Sequence, residues 1–255
     1  ANSNNYDIII PEGNYFVDSD IDIQTNVTCL GKLYTSNKGN VPLFYITRKE
    51  AKVEIAGSSI EGSLEAGTTN VPELADYMDY DVIFNSQERI MWRNNNPGEF
   101  YTKNEANRVG SDGSLMVGLS ESYNDKSLLS VKLYKKERPI TLEGLNILCI
   151  DNTITNYGKN IVEVKRSDVT FEELILDNEN LSKEEGQNTG IAITDAVNVT
   201  FNNSKIRGFM LNGLGYGVLV YTTLNVTLNN TDISKTRHAI AGRHDIYTTI
   251  NGGSY

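Results

Sequence analysis

The sequence predicts an all-β chain wound into a right-handed parallel β-helix, a solenoid that carries one β-rich insertion. Two observations predict it. A strand-sized motif recurs at residues 140–147 (ITLEGLNI), 169–176 (VTFEELIL), 199–206 (VTFNNSKI), 226–233 (VTLNNTDI) and, in worn form, 248–255 (TTINGGSY). Each copy alternates apolar with polar residues, which is the period of a strand. Copies start 29, 30, 27 and 22 residues apart. Propeller blades need about 40–50 residues each, and leucine-rich repeats need a fixed Leu/Asn frame. Short strands stacked in parallel, joined by corner loops of varying length, fit both the constant motif and the variable spacing.

Two earlier stretches, 27–31 (VTCLG) and 53–60 (VEIAGSSI), are looser copies. A second strand precedes each regular copy, at 161–164 (IVEV), 191–194 (IAIT), 218–221 (VLVY) and 240–243 (IAGR). Stacking equal positions at ~4.8 Å per rung predicts three columns. One runs Glu143, Glu172, Asn202, Asn229, Asn251, and its last three members form an amide ladder. The others run Lys165, Asp195, Thr222, His244 and Val164, Thr194, Tyr221, Arg243. Residues 66–139 break the pattern with Trp92, several Tyr and β-rich segments at 81–84, 88–92, 115–119 and 128–134, while 73–79 suits a short helix. The expected organisation is first rungs over 1–65, hairpins or irregular rungs over 66–139, and regular rungs over 140–255. The last copy runs to Tyr255, so the chain is expected to be part of a longer protein.

Composition narrows the function. The 255 residues hold 33 acidic against 23 basic side chains, a net charge of −10. That argues against nucleic acid as a partner, since a phosphate backbone needs a clustered basic surface. No apolar run approaches the ~20 residues of a membrane span. Cys29 and Cys149 sit in apolar contexts and read as free core thiols. Several of the sequons at Asn26, Asn198, Asn202, Asn225 and Asn229 fall within predicted strands rather than on loops, so they read as turn and ladder chemistry. No metal or cofactor motif occurs, and none is expected. The run Asp18, Asp20, Asp22 suits at most weak calcium binding, and its alternation favours placing the three carboxylates on the outer face of a strand.

The opening residues 8–16 (IIIPEGNYF) and 21–31 (IDIQTNVTCLG) resemble the first rungs of the pectate-lyase-like β-helix superfamily. The stretch 236–245 (TRHAIAGRHD) resembles a rung of bacteriophage tailspikes and neck-appendage proteins. The resemblance covers 6–60 and 140–255. It implies a homotrimeric spike on the virion tail, working outside the cell alongside other tail proteins. It also implies binding to a bacterial surface polysaccharide or teichoic acid, usually with depolymerisation. A fold alone does not fix a reaction; a lyase acting on uronic acids, or a non-catalytic adhesin, is also compatible.

Several residues are expected to carry that chemistry. Glu143 over Glu172 would place two carboxylates near the ~5–5.5 Å of a retaining glycosidase, unless both are simply solvated. Asp195 and His244, two rungs apart, are the other catalytic candidates. Asp151, Asp177 and Asp232 near strand ends are further carboxylates. Arg237, His238, Arg243 and Asp245 form a cationic, titratable patch suited to an anionic sugar or phosphate. Tyr216 and Tyr221, and Trp92 and Tyr101 on the insertion, offer rings for stacking on sugar faces.

Overall fold

The structure, a computed structural model, describes residues 6–35, 43–90, 98, 100–150, 160–178, 189–210 and 215–255, and the backbone of Met91 and Trp92. Asp151 lies outside the described residues. Parallel strands stack into three faces. Face one holds Ile21–Asp22, Phe44–Thr47, Asn160–Lys165 and the opening halves of three long strands, Thr189–Asn202, Tyr216–Asn229 and His238–Asn251. Face two holds Ile8–Ile10, Val27–Cys29, Ile140–Glu143, Val169–Glu172 and the closing halves of those long strands. Face three holds Asn14–Phe16, Lys32–Thr35, Asn146–Cys149, Ile175–Asn178, Lys205–Arg207 and Asp232–Ser234.

The core follows from alternation. Every second side chain points into the coil and meets its equivalent one rung away. Phe171 pairs with Phe201 in register, and their rings stack at 4.7 Å, 1° from parallel. Burying such a ring contributes roughly 1.5–3 kcal/mol. Cys29 and Cys149 are buried and free, as expected, and burial pushes the Cys149 thiol up to about 12.

Corners are made by residues in the left-handed region. Between faces two and three this position is Gly144, Glu173, Asn203, Asn230 and Gly252 in successive rungs, all at positive φ. Gly and Asn enter that region at least cost, which explains the Asn-Asn and Glu-Gly pairs of the repeat. The column Glu143, Glu172, Asn202, Asn229, Asn251 is observed in full register. Asn251 Nδ2 donates to Asn229 Oδ1 and Asn229 Nδ2 to Asn202 Oδ1, each at 2.8 Å, and Asn202 Nδ2 donates to Glu172 Oε1 at 2.5 Å.

The corner between faces one and two holds a second ladder. Asn225 Nδ2 donates to Asn198 Oδ1 at 3.1 Å, and Asn198 Nδ2 donates to Asp168 Oδ1 at 2.9 Å. All three are at positive φ. Asn198→Ala forces a Cβ-bearing residue without a local hydrogen bond into that region, at ~1–2 kcal/mol, and removes two side-chain bonds of ~1 kcal/mol each. It is expected to lower stability by about 2–4 kcal/mol in urea denaturation, with Asn198→Gly losing less because the strain is absent. Equal losses would show that backbone strain is not part of the cost.

Two expected alignments are corrected. Val164 pairs with Ile193, not Thr194, so Lys165 falls beside Thr194 rather than Asp195. The cause is one extra residue in the following rung. Val169 pairs with Val199, and Asp195 is the left-handed residue that takes up the difference. Thr194–Tyr221–Arg243 remains a true column. Val53–Ala56 is also not a rung. It pairs antiparallel with Leu129–Lys135, which pairs with Tyr80–Trp92, which pairs with Phe100–Arg108. This four-stranded antiparallel sheet leaves the coil after Thr47 and returns at Ile140. Pro72–Tyr77 forms the short helical segment, a 3₁₀ turn, and of the strand expected over 115–119 only an isolated bridge from Leu115 to Val109 is seen.

The sheet uses both faces. Val82 and Phe84 pack into its own loops with Leu74, Tyr123 and Val131. Ile83, between them, points the other way with Ala106 onto Val197 and Leu224 of the coil, beside Ile246. The apolar corner residues of successive rungs are therefore the seat of the insertion.

Candidate functional site

The seam where the insertion meets the coil gathers the most chemistry. Asp195 is set there by its left-handed corner position. Its carboxyl is pushed up by burial and drawn back down by the charges of Lys132, Arg48, Lys165 and Lys52. Arg48 braces the corner, donating to the carbonyl of Lys165 at 2.6 Å and to that of Asp195. The guanidinium also lies 4.0 Å over the ring of Tyr134. Burial, followed by the charge of Asp195, pushes the Tyr134 phenol up.

Glu54, on the insertion strand Val53–Ala56, faces the same cluster. It accepts from Lys52 Nζ and from Ser130 Oγ, each at 2.6 Å. Those hydrogen bonds hold its carboxyl below the usual range. Two carboxyl groups that both act on Tyr134 are thus driven in opposite directions, Asp195 up and Glu54 down. Opposed environments of this kind are how one site keeps an acid beside an anionic partner. Sequence reading finds Asp195 and misses Glu54. The VEIA stretch imitates a rung, and only pairing with Leu129–Lys135 moves it into the seam.

Farther along the coil the seam becomes aromatic. The Arg243 guanidinium lies 4.6 Å from the ring of Tyr101 on the insertion and 5.3 Å from that of Tyr221 one rung below. His244 occupies the next left-handed corner position after Asp195 and Thr222. Burial, then the neighbouring Arg243, pushes its imidazole down, while Asp245 acts the other way. Its Nε2 has no hydrogen-bond partner. Asp245 accepts from Thr248 Oγ1 at 3.0 Å.

Other expected residues lie elsewhere. Tyr216 and His238 stack at 5.5 Å near the start of face one, with exposed Arg237 adjacent. Glu143 and Glu172 lie at the far edge of face two. Glu172 ends the amide ladder, and Glu143 accepts from Thr28 Oγ1 at 3.4 Å. The side chain of Trp92 lies outside the described residues. On face three Asp177 is paired to Arg207, Nε to Oδ1 at 2.9 Å, and Asp232 accepts from Ser254 Oγ at 2.9 Å. Among the described residues no group of three or more His, Cys, Asp or Glu is placed to hold a metal ion, and no helix is long and apolar enough to cross a membrane.

No protein-family model matches the chain, and no curated protein matches it. Solved structures do. The tailspike gp61 of Pseudomonas phage phi297 superposes with a TM-score of 0.65 at 12% identity, covering 97% of this chain and 42% of that one. The tailspike gp49 of Pseudomonas phage LKA1 superposes with a TM-score of 0.52 at 15% identity, covering 95% of this chain and 40% of that one. The chain thus spans about two fifths of the length of the tailspikes it matches. At these identities the likeness is one of fold, and the chain is a right-handed parallel β-helix of the kind that builds phage tailspikes.

Proposed function

We propose that this chain is the glycan-processing part of a phage tailspike and cleaves a bacterial surface polysaccharide or teichoic acid by hydrolysis at the seam. The observation that carries the reading is that Tyr134, stacked under Arg48 at 4.0 Å, feels two carboxyls in opposite environments, Asp195 pushed up by burial and Glu54 held down by hydrogen bonds from Lys52 and Ser130. Asp195, which keeps its proton to higher pH than an ordinary carboxyl, protonates the departing glycosidic oxygen. Glu54, ionised, takes the proton from the attacking water. Arg48, Lys52, Lys132 and Lys165 bias the site toward an acidic glycan, and Tyr101, Tyr221 and Arg243 form the wall against which sugar rings lie. Placement on the virion tail and assembly as a homotrimer with other tail proteins belong to the same reading.

A uronate-directed lyase is the second reading, favoured by the Arg48–Tyr134 stack. It needs an easily ionised phenol, and Tyr134 is shifted in the opposite direction, so hydrolysis is preferred. The test is incubation with capsular, O-antigen and teichoic-acid glycans in ¹⁸O-water, read by mass spectrometry. Fragments that carry one labelled water are expected. Unsaturated ends would establish the lyase, and tight binding without products would establish an adhesin and overturn the enzymatic reading.

A further inference from the structure

A second basic site lies on the other side of the strand that carries Tyr134. There the connection from Leu129–Lys135 back to the coil crosses the corner at Arg166. It encloses a cavity of about 230 Å³. Five cations line it, Lys49, Lys135, Lys136, Arg138 and Arg166, against two carboxylates, Glu50 and Glu137, in a chain whose net charge is −10.

Arg166 is the unusual member. It is 2% exposed and, among the described residues, the largest fully buried side chain, and burial pulls its guanidinium below the ordinary value. Its Nη1 pairs with Glu137 Oε2 at 3.0 Å, and its Nη2 donates to the carbonyl of Arg138 at 2.7 Å. Its Nε–H has no acceptor. Glu137 does not balance the rest of the cavity. Its Oε1 already accepts from the backbone N–H of Lys49 at 2.5 Å and of Glu50 at 3.3 Å. Among the described residues Lys135 and Lys136 have no carboxylate partner. A buried arginine with an unmatched N–H, beside two unpaired lysines, is a setting that an oxyanion completes.

We propose that this cavity binds a small oxyanion, the carboxylate or phosphate group of a ligand, which Lys135 and Lys136 engage at the mouth and Arg166 engages at the base. The proposal stands on the cavity alone and does not depend on cleavage at the seam. An anionic substituent on a glycan and a free anion share this chemistry.

Isothermal titration at constant ionic strength separates the sources. Inorganic phosphate and glucuronate are titrated into the intact chain, into the Lys135→Gln/Lys136→Gln double variant, and into Lys32→Gln as a control on face three. Saturable binding of at least one anion is expected, unchanged in the control and roughly tenfold or more weaker in the double variant, the size of a lost charged hydrogen bond. Saturation by glucuronate assigns the site to a sugar-acid carboxylate, and saturation by phosphate alone assigns it to a phosphate. No saturable heat with either anion, or equal affinity in the double variant, overturns the proposal. Both lysines are exposed, so their replacement leaves the coil folded, and circular dichroism of the double variant checks this.

Discussion

Asp195→Asn is expected to lower glycan cleavage by about 10²–10⁴-fold, the usual worth of a positioned general acid, with the fold intact. The substitution preserves shape and removes the proton. Its pH behaviour separates catalysis from packing. In the parent chain the rate is expected to fall as pH drops through the depressed value of Glu54, and again as pH rises through the elevated value of Asp195. The variant loses the alkaline limb. Stability moves independently. A carboxyl raised in the folded state contributes stability below its unfolded value, ~3.9, and loses that contribution as pH rises through the folded value. Asn cannot ionise, so at neutral pH the variant should be at least as stable as the parent. Cleavage within threefold of the parent would remove Asp195 from the mechanism. A lost alkaline limb with unchanged thermal stability is a result that a packing role cannot produce.

The coil was legible because its constraints are local and repeated. A residue such as Asn202 sits where its neighbours one rung away are Asn229 and Glu172, so a motif that recurs in sequence stacks in space. The limits of that legibility are also physical. One left-handed residue at Asp195 shifts the alignment of Lys165 by a single place, and no composition signal marks such an insertion. The four-residue VEIA stretch alternates as a rung does, yet it belongs to the antiparallel sheet, because alternation reports a half-buried strand and not its partner. The seat of the insertion left a faint trace in sequence. Val197, Leu224 and Ile246 are apolar at equivalent corner positions where a solvated coil would be polar. Of the site, the coil's half (Asp195, Tyr221, Arg243 and His244) could be read from the repeat. Of the insertion's half, Tyr101 is offered by the sequence as a stacking ring but owes its place against Arg243 to the docking, and Glu54 and Tyr134 required the docking altogether.

That docking rests on a buried charge cluster, and Arg108→Ala is expected to cost about 3–5 kcal/mol in urea denaturation, the penalty for leaving buried charges uncompensated. Arg108, on the insertion, donates from Nε to Asp81 at 2.8 Å, and from both terminal nitrogens to Asp168 on the coil at 3.1 and 2.8 Å. The three side chains are only 12%, 3% and 10% exposed. Burial lowers the guanidinium's affinity for its proton, but the two aspartates outweigh it and raise the arginine. Asp81 is pushed up by burial even with Arg108 present. Without the arginine it rises further, and the sign follows. Ionised Asp81 opposes folding, so the deficit of the variant should shrink as pH falls toward the unfolded carboxylate value, ~3.9. Because Asp168 also anchors Asn198, the loss should spread into the amide ladder, and hydrogen exchange at the corner amides of 196–198 should quicken. A loss below 1 kcal/mol, or a deficit that grows on acidification, would show that the insertion is held by the Ile83–Val197–Leu224 contact alone. In that case the positions of Glu54 and Tyr134 opposite Asp195 would owe nothing to the charge cluster.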